Sequence, residues 1–290
     1  MSRTGTSRYF DPNVLFTFRD IEKPVQIHLK NVYSLLSVGL IAASIGSFVF
    51  TTSSLIQHWA FSVLILSAIA SIVSCCYIMF TQHTESQLWS RMTAFLVFTL
   101  STGIGLGPLV NFALQVNPSS LPAALLGTAI IFVAFTFASL LTRKRLFVYL
   151  GGVLGTAIGV ISAFGLMNLF LRSPALFQVE LYLSFLIFCG FVVYDTQLIV
   201  FKRQLGDVDF IKHALDLFVD VIELFRHLLI ILNSRRVVVS ILKGPFEVTN
   251  IAVTSSWILF HNKPTVNRQY YFILSLTTIS VSKTCRLFSK

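Results

Sequence analysis

The chain has 290 residues, of which 55% are apolar and only 12% are charged, whereas about a quarter of the residues in soluble domains carry charge. This composition excludes an ordinary water-soluble domain. At about 20 residues per membrane crossing, the length allows about six to eight crossings with short connections. The net charge of +10 comes from Lys and Arg that lie between apolar segments, which indicates membrane topology and not nucleic-acid binding.

Seven apolar segments are long enough to cross a bilayer. In chain order they cover residues 32–51, 59–80, 92–116, 121–141, 146–171, 176–200 and 213–233. The fold class that they predict is all-α, a polytopic membrane bundle of about seven helices whose seventh helix is polar and central. The predicted organisation is a cytosolic N-terminal segment (1–31), a membrane domain (32–233) and an atypical C-terminal tail (234–290).

The distribution of basic residues predicts the orientation of the chain. Alternate connections contain twelve Lys and Arg on one side and a single one on the other. The positive-inside rule assigns the richer side, which includes the N-terminus, to the cytosol. Seven crossings would then leave the tail outside the cytosol. The seventh segment therefore either dips into the membrane and returns, or it spans because the other six helices enclose its polar face.

Acidic residues are concentrated near the end of the membrane domain, where six of the twelve lie between residues 195 and 223. In the seventh segment they share one helical stripe with histidines, because the spacing is three to four residues. The stripe consists of His213, Asp216, Asp220, Glu223 and His227. Ionisable side chains at membrane depth usually face a bundle interior or an aqueous cavity, so this stripe is the candidate functional site.

Asp195, near the end of the sixth segment, is the second carboxyl group that the site requires. If Asp195 faces Asp220 across adjacent helices, the two carboxyl groups will tend to share one proton and respond to pH. Deprotonation would leave oxygens that can coordinate a hard cation, which predicts a cation pathway gated by protons. Asp216, Glu223 and His213 are secondary candidates.

Two arginines could neutralise part of this acidic cluster. Arg226 lies almost one turn beyond Glu223, and Arg91 enters the third segment from another helix. Both could equally anchor their helices by extending to the membrane interface. Asp207 and Asp209 lie in the preceding connection, where a solvated turn or a helix N-cap is the expected role.

Several motifs in the same order resemble the Bax inhibitor-1 (transmembrane BAX inhibitor motif) family, in its eukaryotic branch. The C-terminal motifs are CGFVVYDTQLI at 189–199, Gly206-Asp207 and ALDLFVD at 214–220. The upstream motifs are HLKNVY at 28–33, TGIGLGP at 102–108, NPS at 117–119 and GTA at 127–129. The resemblance covers about residues 20–235.

This resemblance implies a seven-helix protein of the endoplasmic-reticulum membrane that suppresses apoptosis and lets calcium leak in a pH-dependent way. It implies that Asp195 and Asp220 are the pH sensor and that calcium is the ion these carboxyl groups would hold transiently. It also implies an arginine that latches the closed state; Arg91 is the candidate, and no motif fixes its position. The expected partners are membrane lipid and Bcl-2-family or other endoplasmic-reticulum membrane proteins, with no nucleic acid and no bound cofactor. The tail departs from the family, whose eukaryotic members usually end in a short lysine-rich segment.

Two other functions compete with this interpretation. An intramembrane aspartyl protease would combine Tyr194-Asp195 with a second motif, Gly-x-Gly-Asp, but Gln204 stands where that motif needs its first glycine before Asp207. We therefore expect no enzyme. The other alternative is a non-transporting scaffold that regulates cell death or stress signalling through protein partners, with the polar stripe as a satisfied core.

Overall fold

The computed structural model describes residues 23–141, 147–171 and 173–242, and over these ranges the chain is helical with no strand. The helices, in chain order, are α1 (Lys23–Thr52), α2 (Ser54–His58), α3 (Ala60–Phe80), α4 (Leu88–Val116), α5 (Ser120–Leu141), α6 (Phe147–Leu171), α7 (Pro174–Gln204) and α8 (Phe210–Leu242). A single 3-10 turn, Glu85–Gln87, precedes α4. The predicted all-α class is confirmed.

Six stretches are long and apolar enough to cross a membrane, one in each of α1, α3, α4, α5, α6 and α7. Their outward sides carry large exposed apolar groups such as Phe48, Ile130 and Phe170. Such a surface is unfavourable in water and suits lipid, since contiguous apolar area of this extent is rare on soluble proteins. The chain is therefore a multi-pass membrane protein, as the composition predicted.

Helix α1 begins at Lys23, well before the predicted apolar segment at residue 32. Val25 and Leu29 in this extra part are buried in the main core, while Lys23 and Lys30 remain exposed. Tertiary burial of one face thus extends the helix into a sequence that hydropathy assigns to a polar segment. Residues 1–22 lie outside the described part of the chain.

Close contact between α1 and α4 depends on glycine. A Cβ atom added to Gly46 would collide with the carbonyl oxygen of Leu100, and one added to Gly103 would collide with the backbone of Ala43. Small residues at both positions allow the two backbones to approach, which is how membrane helices gain packing energy. The contact fixes the side of α4 that faces α1.

Helix α8 is enclosed by the rest of the bundle. Every residue from His213 to Phe225 is buried, and the helix packs against α1, α4, α5 and α7. Its 33 residues form one continuous helix, about 50 Å long at 1.5 Å per residue. This arrangement matches the second alternative for the seventh segment, in which the other helices surround its polar face.

The far end of α8 also differs from the prediction. The helix continues to Leu242, beyond the predicted boundary at residue 233. Near that boundary, Asn233 Nδ2 donates a hydrogen bond of 3.0 Å to Ser120 Oγ at the start of α5. Asn233 therefore ties α8 to the end of the bundle opposite the α7–α8 connection. The remainder of the predicted tail, residues 243–290, lies outside the described part.

Candidate functional site

The site is built on a helical hairpin formed by α7 and α8. Five residues, 205–209, connect the two helices, and helices joined by so short a connection run antiparallel as neighbours. Gly206 has a positive φ of 99° in this turn, a conformation that glycine adopts without steric cost. We call the end of the bundle that contains this connection the loop end.

A ring contact sets the register between α7 and α8. The ring centroids of Phe188 and His227 are 5.3 Å apart. Asp195 lies seven residues after Phe188, and Asp220 lies seven residues before His227. Seven residues are about two helical turns, or about 10 Å, and return to almost the same side of a helix. The two aspartates therefore lie at one level, about two turns towards the loop end from the ring contact.

Both aspartates are buried, with exposed fractions of 1% for Asp195 and 0% for Asp220. Asp216 is buried one turn nearer the loop end, and Glu223 is buried almost one turn further along α8. The predicted polar stripe is thus enclosed by protein and does not face lipid. Enclosure is the condition under which ionisable groups persist at membrane depth.

Arg226 neutralises one member of this stripe, as one alternative predicted. Its Nη2 donates to Oε2 of Glu223 on the same helix. The ring of His227 is also close to Glu223, because Nδ1 lies 2.7 Å from the Glu223 carbonyl oxygen. Glu223, Arg226 and His227 therefore form one local group within α8.

His213, a secondary candidate, contacts a residue that the sequence analysis did not select. His28 Nε2 on α1 lies 2.9 Å from His213 Nδ1, and the rings are edge-on. The other ring nitrogen of His213 lies 3.7 Å from Asp207 Oδ2. Both histidines are buried. His213 thus connects α1 with the α7–α8 connection at the loop end.

Arg91 is buried inside the protein, with an exposed fraction of 0%. Its Nη2 donates to Asp209 Oδ2 at 2.6 Å and to the carbonyl oxygen of Ile78 at 3.1 Å, and Nη1 donates to His83 Nδ1 at 2.9 Å. The expectation that Arg91 neutralises an acidic group is met, but by Asp209 of the connection. A buried and paired guanidinium does not fit the alternative in which Arg91 extends to the membrane interface.

The connection itself is organised by its two aspartates. Asp209 Oδ1 accepts from the backbone N–H of Lys212 at 3.2 Å, which is the predicted N-cap of α8. Asp207 Oδ1 accepts from the backbone N–H of Asp209 at 2.9 Å. Partial burial raises the pKa of Asp207, but this hydrogen bond and the neighbouring basic side chains of His213 and Lys202 outweigh it, so the pKa lies below its ordinary value.

We call these polar residues of the loop end the loop-end cluster. Its members are His28, His83, Arg91, Asp207, Asp209 and His213. The sequence contains a local signal for His28, which lies within the HLKNVY motif, and the two acids of the connection, Asp207 and Asp209, are adjacent to the polar stripe. Within the described ranges, no group of three or more His, Cys, Asp or Glu side chains is arranged to hold a metal ion. Transient calcium binding at Asp195 and Asp220 remains a prediction.

Comparison with known proteins agrees with the motifs. Residues 25–237 match the family described as "Inhibitor of apoptosis-promoting Bax1". The chain is 39% identical over 227 residues to "Probable Bax inhibitor 1" of Paralichthys olivaceus, covering 77% of this chain and 94% of that protein. It is 39% identical over 220 residues to Bax inhibitor 1 of Homo sapiens, covering 76% and 91%. Bax inhibitor 1 of Arabidopsis thaliana is 36% identical over 227 residues, covering 78% and 88%. The chain therefore belongs to the Bax inhibitor-1 family of membrane proteins.

Proposed function

We propose that this protein resides in the endoplasmic-reticulum membrane with its N-terminus in the cytosol, and that it suppresses apoptosis there. Membership of the Bax inhibitor-1 family supports the anti-apoptotic role. The excess of Lys and Arg on the side of the N-terminus supports the orientation. In this orientation the loop end faces the cytosol.

We further propose that the protein lets calcium leak from the store in a pH-dependent way. The observation that carries this proposal is the full burial of two carboxyl groups, Asp195 and Asp220, on adjacent helices. The ring contact between Phe188 and His227 indicates that the two groups lie at the same level. Two such groups share a proton more readily than they carry two negative charges. Loss of the shared proton adds repulsion between α7 and α8 and frees oxygen ligands for a hard cation.

In this mechanism the protonated pair holds the hairpin closed, and the deprotonated pair favours separation and cation entry. Neighbouring charged groups also affect the equilibrium between the closed and the separated hairpin. Glu223 is paired with Arg226, and Asp216 adds a further carboxyl group one turn from Asp220. Calcium is the transported ion and no cofactor is required. Lipid surrounds the bundle, and Bcl-2-family or other endoplasmic-reticulum membrane proteins are the proposed partners, with no nucleic acid.

The test is calcium efflux from proteoliposomes that contain the purified wild-type protein, measured from about pH 6 to pH 8, the range of a carboxyl pair that shares a proton. Asp195→Asn and Asp220→Asn are expected to change the pH profile. Glu85→Gln, at an exposed position outside the helical hairpin, is the matched control and is expected to leave the profile unchanged.

Two outcomes would redirect the proposal. Folded wild-type protein without efflux at any pH would favour the non-transporting scaffold. Unchanged pH profiles in both aspartate variants would remove the pair from the mechanism. A protease is disfavoured by Asp207, which lies in the connection and accepts a backbone hydrogen bond there.

A further inference from the structure

Glu180 is a buried acid at the end of α7 opposite the loop end. It lies in the second turn of the helix, and its exposed fraction is 3%. Neither of its carboxyl oxygens has a hydrogen-bond partner among the residues that the structure describes. In this respect it differs from Asp207, Asp209 and Glu223, whose carboxyl oxygens contact donors or basic side chains.

A buried carboxyl group without a protein donor needs a positive partner of another kind. The ionised form needs a counter-charge, because a bare carboxylate is very unfavourable in a low-dielectric interior. The neutral form needs a bound proton. In both forms the side chain requires a cation, either a proton or a metal ion, and burial keeps bulk water from replacing it.

The position of Glu180 links it to the proposed aspartate pair. Asp195 lies fifteen residues further along α7, which is about 22 Å at 1.5 Å per residue. Between them, Ser184 and Phe188 are also buried, and Phe188 contacts His227 of α8. The side of α7 that faces the bundle thus carries one carboxyl group near each end.

We propose that Glu180 is a second cation-binding site, which takes a proton or a divalent cation at the end of α7 remote from the loop end. This inference deepens the proposed function and rests on it for the direction of flow. In this arrangement a cation from the lumen binds first at Glu180. Asp195 and Asp220 then control its passage through the cytosolic half of the pathway.

The first experiment detects the cation at Glu180 without measuring transport. Dicyclohexylcarbodiimide reacts with protonated buried carboxyl groups. The reaction is an addition that keeps all atoms of both reactants, so mass spectrometry can locate the adduct. In wild-type protein in detergent, Glu180 is expected to be modified, and modification is expected to fall about tenfold per pH unit once the carboxyl loses its proton. Added calcium chloride separates the two cations: protection by calcium indicates a metal-binding carboxyl, and pH dependence without protection indicates a proton site.

Two variants control this labelling experiment. Glu180→Gln is expected to lose the adduct, and Glu180→Asp is expected to keep it because the carboxyl group remains. Absence of the Glu180 adduct from about pH 5 to pH 9, which brackets the range of buried carboxyl groups, would overturn the proposal when the folded protein has first been freed of divalent cations with a chelator. The result would mean that a protein partner holds Glu180 ionised.

The second experiment is calcium efflux from proteoliposomes with wild-type protein, Glu180→Gln and the exposed control Glu85→Gln. Glu180→Gln is expected to lose most of the wild-type efflux, and Glu180→Asp to restore part of it. Wild-type efflux that Glu180→Gln leaves intact, while Asp195→Asn alters its pH profile, overturns the inference and leaves the proposed function standing. If wild-type protein shows no efflux, the proposed function fails, and the labelling result alone decides whether Glu180 binds a cation.

Discussion

Buried charged side chains are paired at one end of the α7–α8 hairpin, whereas the buried acid at the other end lacks a hydrogen-bond partner within the described residues. At the loop end, Arg91 is paired with Asp209, and His213 lies between His28 and Asp207. At the other end, Glu180 is equally buried but has no partner on its carboxyl oxygens within the described residues. The loop-end cluster joins α1, α4 and the α7–α8 connection, whereas the carboxyl group of Glu180 makes no hydrogen bond to another helix within the described part of the chain.

Hydrogen bonding distinguishes buried charges that stabilise the fold from buried charges that are candidates for function. A buried ion pair that is hydrogen-bonded on several sides becomes part of the structure, because removing one partner leaves the other uncompensated. A buried carboxyl group without a partner does not stabilise the folded state, and its burial is itself unfavourable. The first kind is expected to destabilise the protein when it is removed, and the second kind is not.

The largest expected effect is at Arg91. Replacing it in Arg91→Gln removes the charge opposite Asp209 and three hydrogen bonds from a residue with 0% exposure. The free energy of unfolding in detergent micelles is expected to fall by about 3 kcal/mol. Lys30→Gln, at an exposed position on α1, is expected to change it by less than about 0.5 kcal/mol.

A double-mutant cycle with Asp209→Asn assigns this loss to the pair. The two substitutions together are expected to cost clearly less than the sum of their separate effects, because each alone already breaks the interaction. Additive effects would show that Arg91 stabilises the fold through contacts other than Asp209.

The next effect is at the histidine contact between α1 and α8. His28→Leu leaves His213 Nδ1 buried and without its partner, which is expected to cost about 1 to 2 kcal/mol of unfolding free energy. His28→Gln keeps a donor and is expected to cost less. His58→Leu, at an exposed histidine, is the control for the change of residue type. Equal losses for His28→Leu and His58→Leu would contradict a structural role for the contact.

Substitution of Glu180 is expected to raise the free energy of unfolding, whereas the substitutions above lower it. Glu180→Met replaces a carboxyl group that has no hydrogen-bond partner among the described residues with an apolar side chain of similar length. The protein is expected to become about 1 kcal/mol more stable in calcium-free buffer at neutral pH. Glu85→Met, at an exposed acid, is expected to be neutral within about 0.5 kcal/mol. A loss of stability in Glu180→Met would show that this carboxyl group supports the fold, and the comparison between the two ends would fail.

Much of the bundle was predictable because its main signals are local. Hydropathy over about 20 residues locates membrane helices, and all six candidate spans lie within predicted segments or extend them. The polar stripe on α8 was also predictable, since a spacing of three to four residues puts the side chains on one face. Its burial follows because lipid cannot solvate such a face.

The contacts of the loop-end cluster were not predictable in the same way. His28 and His213 are 185 positions apart, and Arg91 and Asp209 are 118 apart. Which helices become neighbours depends on packing surfaces such as Gly46 and Gly103, and periodicity within one segment contains no information about its neighbours. Glu180 had a local signal, a single acid within an apolar run, which a search for clustered acids does not detect.

The smallest expected effect is the charge of Asp207, and it tests how far the loop-end cluster extends. Its side chain has 36% exposure, so solvent screens its interactions and Asp207→Asn is expected to cost less than about 1 kcal/mol at neutral pH. Asn keeps an oxygen that can accept from Asp209, so this substitution isolates the charge.

The pH dependence of stability tests the same charge. The pKa of Asp207 in the folded protein lies below its ordinary value, so its charge stabilises the fold above the unfolded pKa of about 4. This contribution disappears as pH falls through the lower folded pKa. Thermal unfolding in detergent should show the difference between wild type and Asp207→Asn shrinking over that acidic range. A difference that is constant with pH would mean that the carboxylate charge contributes nothing, and the cluster would end at His213.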